Sequence, residues 1–356
     1  MKILHIVNSL EAGGAEKTVV YLHESYLSKG IESYALSLMQ SSVSLPNSYS
    51  LGLKSPYELS SLFKLFSFLS DPRWKEIDII HVQLFPSQLF VPIVVKILGL
   101  KAQLVTTEQG SFNKRRGTFI GNIIDRAFYN AYTKVTCVSQ HTLDTLRNWQ
   151  PYLKDRLVVI HNGVDFMHYA HPSVDAVSPQ IPIIVTVGRL TEQKNYDRII
   201  RAMHQLSDCQ FEYWIVGVGL LENSLRDLVK KLNLTHKVKF LGFRHDVPQI
   251  LHQSDIFLLA SLWEGLSLAM VEAMAAGLPV IVSDIPEARE VILSEKNGGL
   301  LVDPNSETDI ADKLRTILSN ASLRSEMGHK AQLRAANFDM KRIVQEYINL
   351  YRELLI

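Results

Sequence analysis

Residues 263–272 read Trp-Glu-Gly-Leu-Ser-Leu-Ala-Met-Val-Glu, with two glutamates eight positions apart around the start of an apolar helix. The apolar run Ile256–Ala260 in front of them predicts a buried strand. Ser267–Ala276 predicts a helix, because Gly277 follows where helices commonly end. Glu264 is therefore expected at the carboxyl end of a strand, which is where open parallel sheets bind their ligands.

The same stretch carries groups that suit a ligand with both phosphates and hydroxyls. The amides of Gly265, Leu266 and Ser267 precede the helix and favour an anion at its N-terminus. Glu272 follows among apolar residues, where a carboxylate is rarely buried without a partner. The alternative is that Glu264 is an ordinary loop residue and Glu272 an ordinary surface residue of the helix. It leaves unexplained why the signals for strand, turn, helix and helix end all agree here. The stretch therefore predicts a site for a sugar nucleotide.

The composition is that of a globular protein large enough for two domains. The chain has 356 residues, of which 47% are hydrophobic and 21% are charged. Its net charge of +1 excludes a strongly basic nucleic-acid-binding protein as the default interpretation, so no nucleic acid is expected as a partner. Residues 1–170 carry 17 Lys and Arg against 13 Asp and Glu, which leaves 20 against 23 in the remainder. The mildly basic first half is compatible with an anionic membrane surface.

Cysteine content and hydropathy indicate a cytoplasmic protein. Cys137 and Cys209 are too few for a disulfide framework, and no Cys/His cluster has zinc spacing, so both are interpreted as reduced packing residues. The short apolar run at the N-terminus leads into a glycine turn, unlike a secretory signal. The longest apolar stretch, Leu89–Leu100, is interrupted by Lys96 and is shorter than a membrane span. Peripheral attachment to the inner face of the membrane stays open.

Strand-like runs alternate with helical segments along the chain, which predicts an α/β fold with parallel sheets covered by helices on both faces. A helix is expected from Ala15 to about Lys29. The predicted strands are Ile3–Val7, Ser33–Leu38, Ile77–Val82, Gln103–Thr107, Lys134–Val138, Leu157–Ile160, Ile183–Val187, Phe211–Val216, Lys237–Leu241, Ile256–Leu259, Val280–Ser283 and Gly299–Val302. His168–Pro182 has three prolines and little hydrophobic periodicity, so it is the predicted linker. Two Rossmann-like domains facing each other across a cleft are the economical interpretation.

Two cations follow the first strand of the second half. Arg189 and Lys194 come directly after Ile183–Val187, again at the expected carboxyl edge of a sheet. The planar fork of an arginine and the mobile charge of a lysine can together neutralise a diphosphate. Two loop cations are more often solvated surface, so this pair alone is a weak signal.

The Glu-x7-Glu spacing of Glu264 and Glu272 strongly resembles the signature of retaining family-4 glycosyltransferases (glycosyl transferases group 1), which have the GT-B fold. Gly188, Arg189 and Lys194 resemble the Gly-Arg…Lys motif with which that family binds the donor diphosphate. The resemblance covers essentially the whole chain, and its second half is the more diagnostic. It implies that Arg189, Lys194 and Glu264 are the catalytic residues.

The resemblance also implies a division of labour between two domains. Residues 1–170 would bind a glycan or lipid-linked acceptor, and residues 171–339 would bind a nucleotide sugar such as a UDP- or GDP-sugar. The final helix, 340–356, would cross back onto the first domain. Glu264 would bind the hydroxyls of the transferred sugar and Glu272 those of the ribose.

Further residues enter the site by the same resemblance. The implied donor-binding set is Gly13, Gly14, Gly188, Arg244, Gly265, Leu266, Ser267 and Glu272. A Gly-Gly pair such as Gly13-Gly14 is by itself most often only a tight turn. The vicinity of the acceptor and sugar would hold His81, Glu108 and Gln109, and Gln109 stands where relatives commonly have a histidine. Glutamine can hydrogen-bond a hydroxyl but cannot hold a proton as imidazole does, so no histidine base is expected.

No Asp-x-Asp pair occurs in the chain, so neither a metal nor another cofactor is expected. The resemblance implies retention by front-face attack, and a role in bacterial surface polysaccharide or glycoconjugate biosynthesis. Loops such as Gln40–Pro56 and Ser111–Gly117 are expected to set acceptor specificity. Two alternatives stay open: a GT-B epimerase or phosphorylase, and a catalytically silent glycosyltransferase-like subunit that binds a partner.

Apolar and basic residues of the first half form a candidate membrane-binding surface. Ser61–Trp74 is rich in Leu and Phe and has Lys64, Arg73 and Lys75 beside them, while Asn113–Arg116 is a basic loop. The alternative is that the aromatic residues pack in the core and the loop is solvated.

Overall fold

The chain forms two compact units in the computed structural model. The first comprises Met1–Asn162 and Met340–Ile356, and the second comprises Gly163–Asp339. The residues that the structure describes are 1–11, 13–58, 60–113, 116–170, 181–293 and 297–356. None of the helices within these ranges is long and apolar enough to cross a membrane.

The boundary between the units lies after Asn162, eight residues before the predicted position. The cause is visible in the backbone: the amide of Val164 donates to the carbonyl of Phe338 at 3.0 Å, within the second unit. Most of the predicted linker, His168–Pro182, lies outside the described residues, because residues 171–180 are not among them.

The first unit is a parallel sheet with helices on both faces. Its strands are β1 (Lys2–Val7), β2 (Glu32–Met39), β3 (Ser48–Leu53), β4 (Ile79–Gln83), β5 (Gln103–Glu108), β6 (Lys134–Cys137) and β7 (Leu157–Val159). Its first five helices are α1 (Gly14–Ser28), α2 (Ser60–Leu69), α3 (Ser87–Leu98), α4 (Phe119–Tyr129) and α5 (Gln140–Trp149). The strand order is β3-β2-β1-β4-β5-β6-β7, with every pair parallel. Short 3₁₀ turns span Pro72–Glu76 and Pro151–Arg156.

One strand was not predicted. β3 lies inside Gln40–Pro56, which the sequence suggested was an acceptor loop. Its sequence, Ser-Tyr-Ser-Leu-Gly-Leu, has weak hydrophobic alternation, and Gly52 has a φ of +65°. The strand pairs with β2 alone at the sheet edge, where only Leu53 of its residues is buried and a strong apolar pattern is not required.

The second unit repeats the architecture with six strands in the order β10-β9-β8-β11-β12-β13. The strands are β8 (Ile183–Val187), β9 (Glu212–Val216), β10 (Val238–Gly242), β11 (Ile256–Leu259), β12 (Val280–Ser283) and β13 (Gly299–Val302). The helices are α6 (Phe166–Tyr169), α7 (Tyr196–His204), α8 (Glu222–Lys231), α9 (Val247–His252), α10 (Leu268–Ala275), α11 (Pro286–Ile292), α12 (Glu307–Leu318) and α13 (Ala321–Ala335). Short 3₁₀ turns span Glu192–Lys194 and Ala336–Phe338. All of its strand pairs are parallel.

The last helix, α14 (Met340–Glu353), belongs to the first unit, as the resemblance implied. It buries one face in a core that also contains Ile3 and Ile79 of the sheet and Leu22 and Tyr26 of α1. The sequence predicted its amphipathic pattern, and the buried stripe follows that pattern.

Beneath the first sheet, α14 closes over a cluster of buried polar side chains. His81 is fully buried, with Nδ1 2.6 Å from the Tyr351 hydroxyl and Nε2 2.7 Å from Thr107 Oγ1. His5 stacks on Tyr26, and neither of its ring nitrogens has a hydrogen-bond partner among the described residues. Burial lowers the pKa of His81 to about 3, and it lowers the pKa of His5 well below its usual value.

These buried histidines predict a loss of stability in mild acid. The unfolded chain protonates His81 near its ordinary pKa of 6.5, whereas the folded chain resists protonation until about pH 3, so stability falls as the pH drops below about 6.5. We expect His81 alone to cost about 2 kcal/mol of unfolding free energy at pH 5 relative to pH 7. Urea unfolding followed by circular dichroism at both pH values measures this difference.

The matched variants are His81→Gln and, as a control, His204→Gln on the exposed surface of α7. His81→Gln should shrink the difference between the two pH values, and His204→Gln should leave it unchanged. An unchanged difference in a folded His81→Gln protein would contradict the assignment.

Candidate functional site

Two loops of the second unit meet at the carboxyl edge of its sheet. β8 and β11 are neighbours, so the loops that follow them lie side by side. Asn195, with a φ of +57°, ends the 3₁₀ turn after β8. Its side-chain Nδ2 donates to the carbonyls of Ala260 at 3.0 Å and Pro304 at 2.7 Å. An asparagine tolerates this backbone conformation better than most residues and ties the two loops together.

An ion pair joins the catalytic candidates of the two loops. Lys194 Nζ lies 2.5 Å from Glu264 Oε1, and the side chains are 14% and 12% exposed. Gln193 Nε2 donates to the Trp263 carbonyl at 2.8 Å and lies 3.4 Å from Glu264 Oε2. A charged pair with so little exposure is screened weakly, so each charge fixes the position of the other.

Arg189 and Gly188 complete the first loop. The Arg189 side chain is exposed, in contrast to the paired Lys194, and is thus accessible to an anion. A Cβ added at Gly188 would lie 3.3 Å from Lys194 Cε, so the glycine leaves room for the lysine stem. The neighbouring Gly217, with a φ of +139°, brings its Cα so close that an added Cβ would lie 2.0 Å from the Gly188 carbonyl oxygen. Close packing therefore accounts for the glycine in that turn.

The second loop leads into the N-terminus of α10. Ser267 caps the helix, because its hydroxyl accepts from the Met270 amide at 3.4 Å. Leu266 turns its side chain into the core and is 6% exposed. Gly265 lies between Glu264 and this cap. The helix end therefore presents backbone amides and a positive dipole end beside the Lys194–Glu264 pair.

A small pocket lies against this helix end. Its polar lining comes from Ser261, Glu264, Ser267, Ser283 and Glu287. Glu287, on α11, is 4% exposed. Ser261 Oγ is buried without a hydrogen-bond partner among the described residues, so the pocket offers it to a ligand. Carboxylate and hydroxyl oxygens suit a ligand that brings hydroxyl groups.

Glu272, the second glutamate of the pair, is buried in α10 and 6% exposed. α10 packs against α6, and the Glu272 carboxylate acts on the hydroxyl of Tyr169 at the end of α6. Burial first, and then the negative charge of Glu272, raise the pKa of Tyr169. His252 Nε2 lies 2.7 Å from the Tyr169 carbonyl oxygen and anchors that residue from the other side. Tyr169 lies in the predicted linker, His168–Pro182, so its place beside Glu272 was not predicted.

Arg244, the candidate for the nucleobase site, is exposed and paired with Asp246. Its Nε and Nη2 donate to the two carboxylate oxygens at 2.7 and 2.5 Å. The pairing holds the guanidinium in one orientation, and it leaves the backbone of Gly242, with a φ of +67°, accessible beside it.

In the first unit, Gly13 and Gly14 open α1 as predicted. Gly13 has a φ of +150°, and a Cβ there would lie 2.1 Å from Glu16 Oε2, so a side chain at this position would displace the glutamate. As a glycine, Gly13 provides no side-chain cap for the first amides of this helix.

A chain of amide side chains lies at the carboxyl edge of the first sheet. Gln109 Nε2 donates to Gln83 Oε1 at 2.9 Å, and Asn162 Nδ2 donates to Gln109 Oε1 at 2.9 Å. Both the amide nitrogen and the amide oxygen of Gln109 are thus engaged. Such a chain positions hydrogen bonds but holds no titratable proton.

Glu108 and His81, both predicted to lie in the vicinity of the acceptor, have side-chain partners within the first unit. Glu108 accepts a hydrogen bond from the Tyr129 hydroxyl and lies 3.3 Å from Arg116 Nη2, so it pairs within its own unit. His81 lies in the core under α14, with both ring nitrogens engaged and no exposed surface. The prediction that its imidazole lies near the acceptor is wrong, because its side chain points to the face of the sheet that α14 covers.

Within the described ranges, no three His, Cys, Asp or Glu side chains are grouped to hold a metal ion. Both cysteines are unpaired thiols in the structure. Burial raises the pKa of the Cys137 thiol, as expected for a packing residue in the core.

Two family models match the chain, one on each half. The model described as "Glycosyl transferases group 1" matches residues 174–334, and the model described as "Glycosyltransferase Family 4" matches residues 12–167. Together they cover both units of the structure.

Similar curated proteins include two bacterial enzymes. N-acetylgalactosamine-N,N'-diacetylbacillosaminyl-diphospho-undecaprenol 4-alpha-N-acetylgalactosaminyltransferase of Campylobacter jejuni is 25% identical over 72% of this chain and 72% of its own length. UDP-Gal:alpha-D-GlcNAc-diphosphoundecaprenol alpha-1,3-galactosyltransferase of Escherichia coli is 25% identical over 84% of this chain and 80% of its own length.

The fold matches a solved structure over nearly its full length. HepE of Anabaena, solved in complex with UDP, has a TM-score of 0.83 and 21% identity, and the match covers 99% of this chain and 100% of HepE. The chain therefore has the α/β GT-B fold that the sequence predicted.

Proposed function

Because the chain belongs to the family-4 glycosyl transferases of group 1 and is thus a glycosyltransferase that moves a hexosyl group, we propose that it does so with retention and without a metal ion. The donor would be a nucleotide sugar and the acceptor a glycan or a lipid-linked glycan. The observation that carries the proposal is the Lys194–Glu264 pair at the N-terminus of α10, where cation, carboxylate and free amides converge.

The relatives support the classes of donor and acceptor. The Escherichia coli enzyme is named for a UDP-sugar donor, and both bacterial relatives are named for acceptors linked to undecaprenol through a diphosphate. HepE was solved with UDP bound. We therefore propose a UDP-sugar donor, a lipid-linked acceptor and a role in bacterial glycoconjugate assembly, at the cytoplasmic face of an anionic membrane.

The residues divide the work according to their charges. In the proposed reaction, the bond from the anomeric carbon to the phosphate oxygen breaks, and the acceptor oxygen attacks from the same face. Arg189, Lys194 and the start of α10 stabilise the negative charge that grows on the leaving diphosphate. The departing phosphate oxygen accepts the acceptor's proton, and Glu264 holds the hydroxyls of the transferred sugar. Glu272 holds the ribose.

Transfer assays with a panel of radiolabelled sugar nucleotides test the proposal. A product with the same anomeric configuration as the donor supports retention, and a product with the opposite configuration overturns it. Neither transfer nor hydrolysis of any donor would instead favour a catalytically silent subunit.

Chelation should leave the rate largely unchanged. The proposed charge neutralisation uses Arg189, Lys194 and helix amides, so EDTA removes nothing that the reaction needs. The measurement is the initial rate after dialysis against EDTA, with and without added magnesium or manganese. A rate that collapses and then recovers with either metal would refute the assignment.

Removal of the Tyr169 hydroxyl should weaken donor binding. Tyr169→Phe deletes the hydroxyl that interacts with Glu272, and we expect the Michaelis constant for donor to rise about tenfold with little change in maximal rate. Glu272→Ala should change the same two constants in the same direction, and by more. Steady-state kinetics with donor varied gives both.

The matched control is Tyr213→Phe, because Tyr213 is also buried in the same unit and its hydroxyl lies 2.9 Å from Thr186 Oγ1. It should leave the Michaelis constant for donor unchanged. If Tyr169→Phe lowers the maximal rate and leaves that constant unchanged, Glu272 does not bind the donor as proposed.

A further inference from the structure

Three helices of the first unit expose large apolar side chains on one side. α3 packs against both α2 and α4, and all three bury their other sides in the same hydrophobic core. Their solvent sides therefore point away from the same face of the sheet. The exposed apolar residues, which we call the α2–α4 face, are Phe63, Phe66, Ile93, Ile97, Phe119, Ile120 and Ile123.

The exposure is greatest on α4. Phe119 is 82% exposed, Ile120 is 70% exposed and Ile123 is 53% exposed, and their spacing places them on one stripe of the helix. Phe63 on α2 is 78% exposed. Single exposed apolar residues are ordinary, but a group of seven on neighbouring helices marks an interaction surface.

The charges on the same helices have one sign. The exposed charged side chains within α2, α3 and α4 are Lys64, Lys96 and Arg126. The single carboxylate of the three helices, Asp125, is fully buried and accepts a hydrogen bond from Trp149 Nε1 at 3.0 Å. The α2–α4 face thus combines apolar side chains with cations and exposes no carboxylate on any of its three helices.

The candidate membrane-binding surface predicted from the sequence includes only part of the α2–α4 face. Leu65, Leu69 and Trp74 of the predicted segment are buried in the core. Arg116 of the predicted basic loop turns inward to Glu108, and residues 114–115 of that loop lie outside the described residues. α4, which carries the exposed Phe119, Ile120 and Ile123, was not part of the prediction.

We infer that the α2–α4 face docks on the surface of an anionic lipid bilayer. Its aromatic and aliphatic side chains enter the headgroup region while Lys64, Lys96 and Arg126 contact lipid phosphates. The cations without exposed carboxylates favour this occupant over a second copy of the chain, whose identical face would repel it. The inference rests on the proposed function, because docking on a bilayer would bring the enzyme to a lipid-linked acceptor.

Vesicle flotation tests the docking without any assay of sugar transfer. The probes are vesicles of phosphatidylcholine alone and of an equimolar mixture of phosphatidylcholine and phosphatidylglycerol. The full-length protein should bind the anionic vesicles and should dissociate as salt increases. Phe119→Ser combined with Ile123→Ser should lower the affinity at least about tenfold, because two exposed side chains no longer enter the lipid.

The matched control is Leu333→Ser, which removes a 62% exposed apolar side chain from α13 in the second unit. It should bind vesicles like the parent. Lys64→Glu combined with Arg126→Glu should weaken binding to anionic vesicles and remove most of its salt dependence. Equal flotation of the parent and the Phe119→Ser, Ile123→Ser variant would overturn the inference.

Two further measurements separate the other outcomes. Sedimentation without lipid would overturn the inference if the parent is a dimer that the Phe119→Ser, Ile123→Ser variant converts to a monomer, because the face would then join two copies. UDP binding by calorimetry should be the same in the parent and this variant. If the parent binds vesicles but not UDP, the proposed function is contradicted and the docking surface stands. If the parent binds UDP but not anionic vesicles, the docking surface is contradicted and the proposed function stands.

Discussion

Lys194→Ala is expected to lower the maximal rate about 100-fold, which is the effect of losing one preorganised group that stabilises charge in the transition state. The lysine Nζ lies 2.5 Å from Glu264 Oε1, and in the proposed reaction its ammonium stabilises the charge that grows on the leaving diphosphate. The substitution also leaves Glu264 without this cation, and its position becomes less defined. Steady-state kinetics with saturating donor measures the loss.

The control for Lys194→Ala is Lys239→Ala. Lys239 forms a surface ion pair with Glu212 at 2.7 Å in the same unit, so its loss should change the rate little. Circular dichroism and melting must first show that both variants are folded. A folded Lys194→Ala protein that turns over like the parent means that the active site lies elsewhere.

Glu264→Ala is expected to reduce the rate by about 100-fold and to blur the preference among donor sugars. The carboxylate lines the pocket at the helix end and is held by Lys194 and Gln193, so it can fix the position of a bound sugar. Small displacements of a reacting group are costly to rate, and a lost hydrogen-bond partner is costly to selectivity. Competition between two sugar nucleotides measures the preference.

Glu264→Gln separates charge from shape, because the amide keeps the size of the side chain and one acceptor oxygen but carries no charge. It should retain more sugar preference than Glu264→Ala, while both lose the ion pair to Lys194. Glu212→Ala is the matched control. An unaltered donor preference in folded Glu264→Ala would show that this carboxylate does not contact the sugar.

The elements that could be predicted from the sequence are those with strong local signals. β11, β12 and β13 have their predicted bounds, since fully buried strands are continuous apolar runs between polar or glycine residues. The final helix has a clear amphipathic stripe. β3 was missed because an edge strand built from serines and Gly52 has no such pattern, and its pairing with β2 is a tertiary effect.

The candidate site was predictable where motif and strand end coincide, and less so where side-chain direction decides. Gly188, Arg189, Lys194 and the residues from Glu264 to Ser267 converge at one sheet edge, as the loop positions predicted. The direct contact of Lys194 with Glu264 was not predicted, because spacing along the chain gives no distance across a sheet. Spacing along the chain also does not show that Tyr169 reaches Glu272, since the two residues lie on separate helices.

The return of α14 to the first unit sets the order in which the nascent chain can mature. Val344, Tyr347 and Tyr351 fill the core beneath the first sheet, and the ribosome adds them only after the whole of Gly163–Asp339 has been translated. The second unit is continuous and can become native during synthesis. The unit translated first is therefore the last to be completed. Until then, the apolar side of β1 and α1 that α14 later covers stays open to chaperones.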